Sequence, residues 1–550
     1  MMGRAAAILL GLVVVAPVLS LGLEAAQGSP ELWAHLAAYV LPQALRDTIL
    51  LLTGVGIVVT VVGTGAAWLV TAYDFPFRRP LEVALMLPLA VPTYVVAYAF
   101  LDLLHPIGPI QTGLRHLLGA EGQRAFLPEL RSLPGCVLLL GFVLYPYVYL
   151  PARALFLTQA GTLLEAAAML GAAPGRIFLR VAAPLARPAI ALGASLALME
   201  TLNDVGATEF LGVRTLTVQV YATWVNRSDL PGAAQLALVS LCLVLILVAV
   251  ERVARAGRSY RTSGHGVRPF TRRRLRGWGA AGGIALALTP TIVGFALPAG
   301  HLAFAAFGTV RLFGLPASLP SEIGNTLLYA GVATFLCAAI ILAVAAAPRL
   351  LGARWGRMLA QITMTGYALP GTVLVIGLLT PLALADSVLA QVQAATIGAA
   401  PLAIGLGSGG ALVLAYAIRF LTIGVGAAEA GLARVPASLV DAARALGRTR
   451  LNALLRIEIP LAWPAITSGL LLIFVDCAKE LPATLLLRPL NVETLSTHIY
   501  GEAARGTYEN GAVAALLIVA LGLLPVALLL RGGPTAESAA SGLSGSGSRS

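Results

Sequence analysis

The feature that most constrains the fold is a polar segment that occurs twice in an otherwise apolar chain. Its first copy reads Glu165-Ala166-Ala167-Ala168-Met169-Leu170-Gly171 and closes with Val181-Ala182-Ala183-Pro184. The second reads Asp441-Ala442-Ala443-Arg444-Ala445-Leu446-Gly447 and closes with Ile457-Glu458-Ile459-Pro460. Subtracting 165 from 441, 171 from 447 and 184 from 460 gives 276 each time, and Pro188 and Pro464 keep that offset. Self-similarity at a fixed period sets an architecture, here two like halves. Each copy predicts a short helix, a glycine break, a second short helix, and a proline where a long helix starts. Alanines after an acidic residue form helix readily and add little bulk, so that face can come close to another protein. Gly171 and Gly447 permit a bend that other residues resist. The four prolines suit helix first turns. One copy alone reads equally well as a plain connector; two copies in register do not.

The surrounding chain can only be a membrane protein. Of its 550 residues 58% are hydrophobic and 11% charged, and its mean hydropathy is +0.87; soluble domains carry about 25% charged residues. A spanning helix needs ~20 apolar residues. Twelve such stretches lie near 5–23, 45–70, 81–104, 134–152, from Pro188 onward, and near 232–250, 280–299, 322–347, 359–382, 403–418, 463–478 and 512–530. The first, behind Arg4 and followed by Ala25 and Ala26, has signal-peptide features, but the topology balances if it stays as an anchor. The expectation is an all-α polytopic membrane protein of about twelve transmembrane helices, as two parallel six-helix repeats. The first half is 1–250 and the second 279–531. Between them, 251–278 is a hydrophilic linker with nine arginines, and 532–550 is a Ser/Gly-rich tail read as disordered. Leu319-Pro320 echoes Leu41-Pro42, and Asn325-Thr326 echoes Asp47-Thr48, both at offset 278.

Charge gives the orientation. The net +12 comes almost wholly from arginines gathered in loops, as the positive-inside rule expects, and does not imply nucleic acid. The loop 105–133 departs from that bias, setting Arg115, Arg124 and Arg131 against Glu121 and Glu129. Six spans separate the two polar segments. Six is even, so both face one side, the arginine-rich side, with both termini cytoplasmic. An inverted repeat would put them on opposite sides.

No catalytic constellation is present. A phosphate loop needs Gly-Lys-Ser/Thr, and Lys479, the only lysine, follows Ala478. Gly405, Gly407 and Gly410 fit a bare G-x-G-x-x-G but follow no predicted strand. The six histidines are scattered, and Cys136, Cys242, Cys337 and Cys477 have neither disulfide nor metal spacing. The chain is therefore not read as an enzyme, and no residue is assigned to a metal.

Two polar stretches are more informative: Glu200-Thr201-Leu202-Asn203-Asp204-Val205-Gly206-Ala207-Thr208-Glu209 and Asp476-Cys477-Ala478-Lys479-Glu480-Leu481-Pro482-Ala483-Thr484. Offset 276 matches Asp204 to Glu480 and Thr208 to Thr484. Ionisable groups at membrane depth are costly and face a cavity or a partner. Two readings stay open. Glu200, Asn203, Asp204, Asp476, Lys479 and Glu480 line a translocation path, with a Lys479–Glu480 or Lys479–Asp204 pair; or they end helices that contact a soluble partner outside. A secondary transporter coupling an ion gradient through Asp204, Glu480 and Lys479 is the alternative of a different class. The parallel repeat and the paired loops stand against it.

The pattern E-A-A, three residues, Gly, nine residues, I-x-L-P resembles the signature loop of binding-protein-dependent ABC importer permeases. The second copy has Asp441 for Glu and Ile459 for Leu; the first has Val181 and Ala183 for Ile and Leu. Within the loops 158–188 and 428–464, the resemblance implies that Glu165, Ala166, Ala167, Gly171 and Pro184, and Asp441, Ala442, Ala443, Gly447 and Pro460, couple to an ATPase. Glu200-Thr201-Leu202-Asn203-Asp204 with its continuation, Lys479-Glu480-Leu481-Pro482-Ala483-Thr484, and Tyr145-Pro146-Tyr147-Val148-Tyr149-Leu150 are similar to segments of fused, two-half ferric-iron permeases. Thiamine, polyamine and oxyanion importers share much of this framework. The resemblance implies a type I ABC importer permease fold in a bacterial inner membrane. It also implies a periplasmic solute-binding protein delivering Fe(III), and two copies of a cytoplasmic ABC ATPase that hold ATP and Mg, with no cofactor in this chain.

Overall fold

A computed structural model describes residues 2–28, 30–105, 108, 110–112, 129–158, 161–255, 272–364, 366, 369–396 and 405–532. Most of the linker, all but the start of the tail, and Arg115, Glu121 and Arg124 of the mixed-charge loop lie outside them. The described chain is almost entirely helical. Its one sheet is a two-residue parallel pairing of Tyr73 with Arg273 and Asp74 with Arg274. Helix is what a lipid-embedded backbone demands, because every N–H and C=O must find its partner within the segment.

Among the described residues, nine helices are long and apolar enough to cross a bilayer. They are α2 (Pro30–Ala72), α4 (Leu133–Leu157), α5 (Pro174–Asn203), α6 (Leu230–Val253), α7 (Trp278–Phe313), α8 (Leu319–Leu350), α9 (Gly371–Thr396), α10 (Gly410–Leu432) and α11 (Arg450–Ala478). Two shorter apolar helices, α1 (Gly11–Ala26) and α12 (Ala512–Leu528), complete the ends of the series. The third stretch is a broken element: Arg78–Ala90 and α3 (Thr93–Leu103) meet at 94°. The order matches the twelve expected stretches, with shifted bounds.

Three expectations are corrected. The third span is not one straight helix, because Pro88 and Pro92 interrupt its ladder. The ninth does not run 359–382. The helix Ala353–Thr363 stops short and α9 begins at Gly371, the position that offset 278 matches to Thr93. Both third spans are thus interrupted at equivalent places. Lastly, Pro184 and Pro460 do stand in the first turns of the long α-helices Ala183–Asn203 and Ile459–Ala478, but no break in the helical path precedes them. A short helix, Pro174–Ile177 or Arg450–Ala453, runs through one π-helical turn, Phe178–Ala182 or Leu454–Glu458, straight into the span. Four described π-turns end at Val40, Ala182, Ala296 and Glu458, each two residues before a proline. A proline lacks an N–H and crowds the carbonyl four residues back, and the wider turn absorbs both defects.

The halves interlock as a pseudo-symmetric pair. Helix α1 packs on α6 of its own half and on α9 of the other; α7 packs on α12 of its own half and on α3 of the other. His301 Nε2 of α7 meets Asp102 Oδ2 of α3 at 2.8 Å, and Thr380 of α9 donates to Glu24 of α1. The described end of the linker, Arg273–Arg274, reaches the C-terminal end of α2. Counting crossings, that end and both polar segments share one face. Six spans, α5 to α10, still separate the segments.

Candidate functional site

The residues after α5 and α11 form twin helix starts. Thr208 N–H donates to Asp204 Oδ1 at 3.0 Å, and its hydroxyl to the Asp204 carbonyl at 2.8 Å. Thr484 N–H donates to Glu480 Oε2 at 3.0 Å, and its hydroxyl to the Glu480 carbonyl at 2.8 Å. Each carboxylate thus caps a short helix, Gly206–Phe210 or Pro482–Leu487, whose first N–H groups need an acceptor. The register that the sequence offset gave is the register of these bonds.

Beyond that shared geometry the halves differ. Thr93 donates to Asp204 Oδ2. At the Thr93 position the second half has Gly371, where an added Cβ would lie 2.4 Å from Arg419 Nη1. The missing side chain leaves room for Arg419, which donates to Glu480 Oε1 at 2.8 Å. Lys479 Nζ bridges Asp476 Oδ1 at 2.8 Å, one turn back on its own helix. The expected Lys479–Glu480 and Lys479–Asp204 pairs are therefore not formed: Arg419 holds Glu480, and Thr93 with the Thr208 amide holds Asp204.

These groups surround one cavity of about 90 Å³ between the halves. Glu200, Asn203, Asp204, Asp476, Lys479 and Glu480 all line it, together with Thr93, Tyr94, Tyr147 and Arg419. Three residues that sequence reasoning missed complete it: Thr93, Tyr94 and Arg419. Arg419 carried a signal, a lone cation in an apolar run; a span ended at 418 left it outside. Direct bonds close the halves around the cavity. Gly371 N–H donates to Asn203 Oδ1 at 2.6 Å, and Tyr94 OH to the Lys479 carbonyl at 3.2 Å. At the far ends of α5 and α11, Tyr500 OH donates to Glu209 Oε2 at 2.7 Å and its ring lies edge-on to Tyr221, centroids 6.3 Å apart.

The repeated segments lie on the opposite face. Gly161–Met169 and Ala437–Ala445 are the two short helices, and both end in the same C-cap. Ala172 N–H bonds the Ala167 carbonyl and Arg448 N–H the Ala443 carbonyl, across Gly171 at φ +78° and Gly447 at φ +80°. This is the Schellman turn, which requires the left-handed residue that glycine supplies. At the tips Met169 and Leu170 are 88% exposed and Leu446 83%. Ala166, Asp441, Ala442 and Pro460 are exposed, Glu165, Ala167 and Pro184 half-buried, and Ala443 buried. The structure therefore brings the ten segment residues to one face in two separate groups, and the six polar residues to one cavity.

The family model described as binding-protein-dependent transport system inner membrane component matches residues 59–256 and again 339–532. The chain is similar to the Fe(3+)-transport system permease protein FbpB 2 of Haemophilus influenzae, 23% identical over 493 residues, 88% of this chain and 89% of that one. It is similar to the putative 2-aminoethylphosphonate transport system permease protein PhnU of Salmonella paratyphi A, 34% identical over 30% of this chain and 58% of that one. The molybdenum transport system permease protein ModB of Escherichia coli is 32% identical over 35% of this chain and 84% of its own length.

Proposed function

The chain belongs to the family of binding-protein-dependent transport system inner membrane components, and from that premise we propose that it is the membrane-spanning permease of an ATP-driven Fe(III) importer. It is a multi-pass inner-membrane permease of the ABC importer class. In the proposed assembly a periplasmic binding protein delivers the cargo, and two copies of a cytoplasmic ATPase dock on the repeated segments. The observation that carries the reading is the doubling. One family matches twice, and each match carries the same glycine-capped helix with apolar side chains presented at its tip. Two such footplates on one face suit a pair of ATPases that close on ATP.

Iron is favoured among the cargoes because the Fe(3+) relative runs through both halves, whereas the phosphonate and molybdenum relatives match about a third of the chain. Thiamine, polyamines and oxyanions are the other cargoes of such permeases. ATP binding would shift the population between a state open inward and one open outward. The bonds that join the halves, Asn203 to Gly371, Tyr94 to Lys479 and Tyr500 to Glu209, are those that the outward opening would have to break. ATP and Mg belong to the partner, and this chain contributes docking and a path rather than covalent chemistry.

The test is Gly447→Glu. A non-glycine residue at φ +80° is strained, at about 1–2 kcal/mol, and the new carboxylate sits at the tip of the footplate. The ATPase is expected to be lost on co-purification, or to lose its stimulated turnover, with the permease still eluting as a folded monomer in detergent. Unchanged co-purification and unchanged turnover would overturn the docking role. Gly171→Glu tests the first footplate in the same way.

A further inference from the structure

The cavity between the halves has a charge imbalance that bears on the kind of cargo. Its walls carry four carboxylates, Glu200, Asp204, Asp476 and Glu480, against two cations, Arg419 and Lys479, a formal −2. Both cations are already engaged. Arg419 is buried and held by Glu480 at 2.8 Å, and Lys479 is held by Asp476 at 2.8 Å. Asp204 is held by hydroxyl and amide donors and meets no cation among the described residues. Glu200 lies on the cavity wall and makes no hydrogen bond or direct ion pair among the described residues, although the charges of Arg419 and Lys479 reach it. Its counterpart at offset 276, Asp476, is the carboxylate that Lys479 neutralises.

We propose that this cavity is an electrostatic filter that passes cationic cargo and rejects oxyanions, with Glu200 supplying half of its net charge. The proposal rests on the importer reading above and narrows its cargo. Low-dielectric walls of net negative charge focus the field on whatever enters, so they attract a cation and repel an anion there. Tyr94 and Tyr147 line the same cavity, and aromatic rings attract cations. No group of three His, Cys, Asp or Glu side chains among the described residues is placed to hold a metal ion. The filter therefore acts through charge without coordinating the cargo, and weak contacts suit a path that must release what it admits. Fe(III) and an organic cation share this chemistry, and the experiment separates them.

Purified chain, reconstituted with its ATPase and binding protein in proteoliposomes, is assayed for ATP-dependent uptake of radiolabelled Fe(III), thiamine, spermidine and molybdate. Uptake of one of the first three, and none of molybdate, is the expected result. Glu200→Gln lowers that uptake by about tenfold, as loss of field focusing predicts. Glu200→Lys abolishes it, and Glu200→Asp, which keeps the charge, restores it. The isosteric Gln and the Asp variant keep the comparison valid if the Lys variant does not fold. Molybdate uptake by the wild type, or cation uptake insensitive to both Gln and Lys, would overturn the filter while leaving the importer standing. No ATP-dependent uptake of any probe, with no ATPase retained on purification, would instead remove the importer reading itself.

Discussion

Thr48 and Thr326 carry the repeat down to single hydrogen bonds. Leu216 N–H donates to Thr48 Oγ1 at 2.9 Å, and Leu495 N–H to Thr326 Oγ1 at 3.0 Å. Each hydroxyl in turn donates to the carbonyl four residues back, Ala44 or Glu322. Each threonine thereby fixes the start of a helix, Leu216–Arg227 or Leu495–Arg505, to the second span of its own half. The Asp47-Thr48 and Asn325-Thr326 echo was visible in the sequence, but not its reason. Replacing either threonine with valine keeps the shape and leaves a buried N–H without an acceptor, a cost of about 1–3 kcal/mol. Thr48→Val and Thr326→Val should each lower the apparent melting temperature in detergent, whereas Thr396→Val, whose hydroxyl bonds only its own exposed helix turn, should not.

Among the elements, the two halves are braced by different means. In the first half, Glu82 takes Arg78 Nη1 at 3.0 Å and Arg153 Nε at 2.7 Å, tying the broken third element to α4. In the second half, Arg349 at the end of α8 donates to Glu458 in the π-turn within α11, so the helix that leaves the repeated segment is tied to α8. On the other face α8 meets the helix Leu495–Arg505 through Glu322 Oε1 and His498 Nδ1 at 3.1 Å. The hydrogen bond that His498 donates to Glu322 raises the His498 pKa above its ordinary value, against burial that lowers it. A pKa raised on folding gives stability that is full below the unfolded value, about 6.5, and fades as pH rises through the folded value. His498→Gln should therefore lower the melting temperature more at about pH 6 than at about pH 9. An equal loss at both values would deny the pair its charge.

For the whole molecule, the decisive property is that both repeated segments share one face. The tip side chains Leu170 and Leu446 are exposed and suit labelling. Leu170→Cys and Leu446→Cys should both react with a membrane-impermeant maleimide in inside-out vesicles and neither in right-side-out ones. Reaction from opposite sides would replace the parallel repeat with an inverted one. The interlocking of α1 with α9 and of α7 with α3 means that neither half packs its core alone. Ala287, Leu302 and Ala306 of α7 and Ala512, Ile518 and Val526 of α12 are buried within the core of the first half.

The linear chain by itself determined the two halves, the order of apolar stretches, and the pairing of Asp204 with Glu480. All three are periodic or compositional properties, which a one-dimensional string carries in full. It could not determine which cation meets which carboxylate. Asp204 and Thr93 are 111 residues apart, Glu480 and Arg419 are 61 apart, and Asn203 meets Gly371 across 168. Only packing chooses among partners at such separations. The breaks in the third spans belonged to the tertiary structure for the same reason: prolines permit an interruption, and the cavity between the halves decides where the chain uses it.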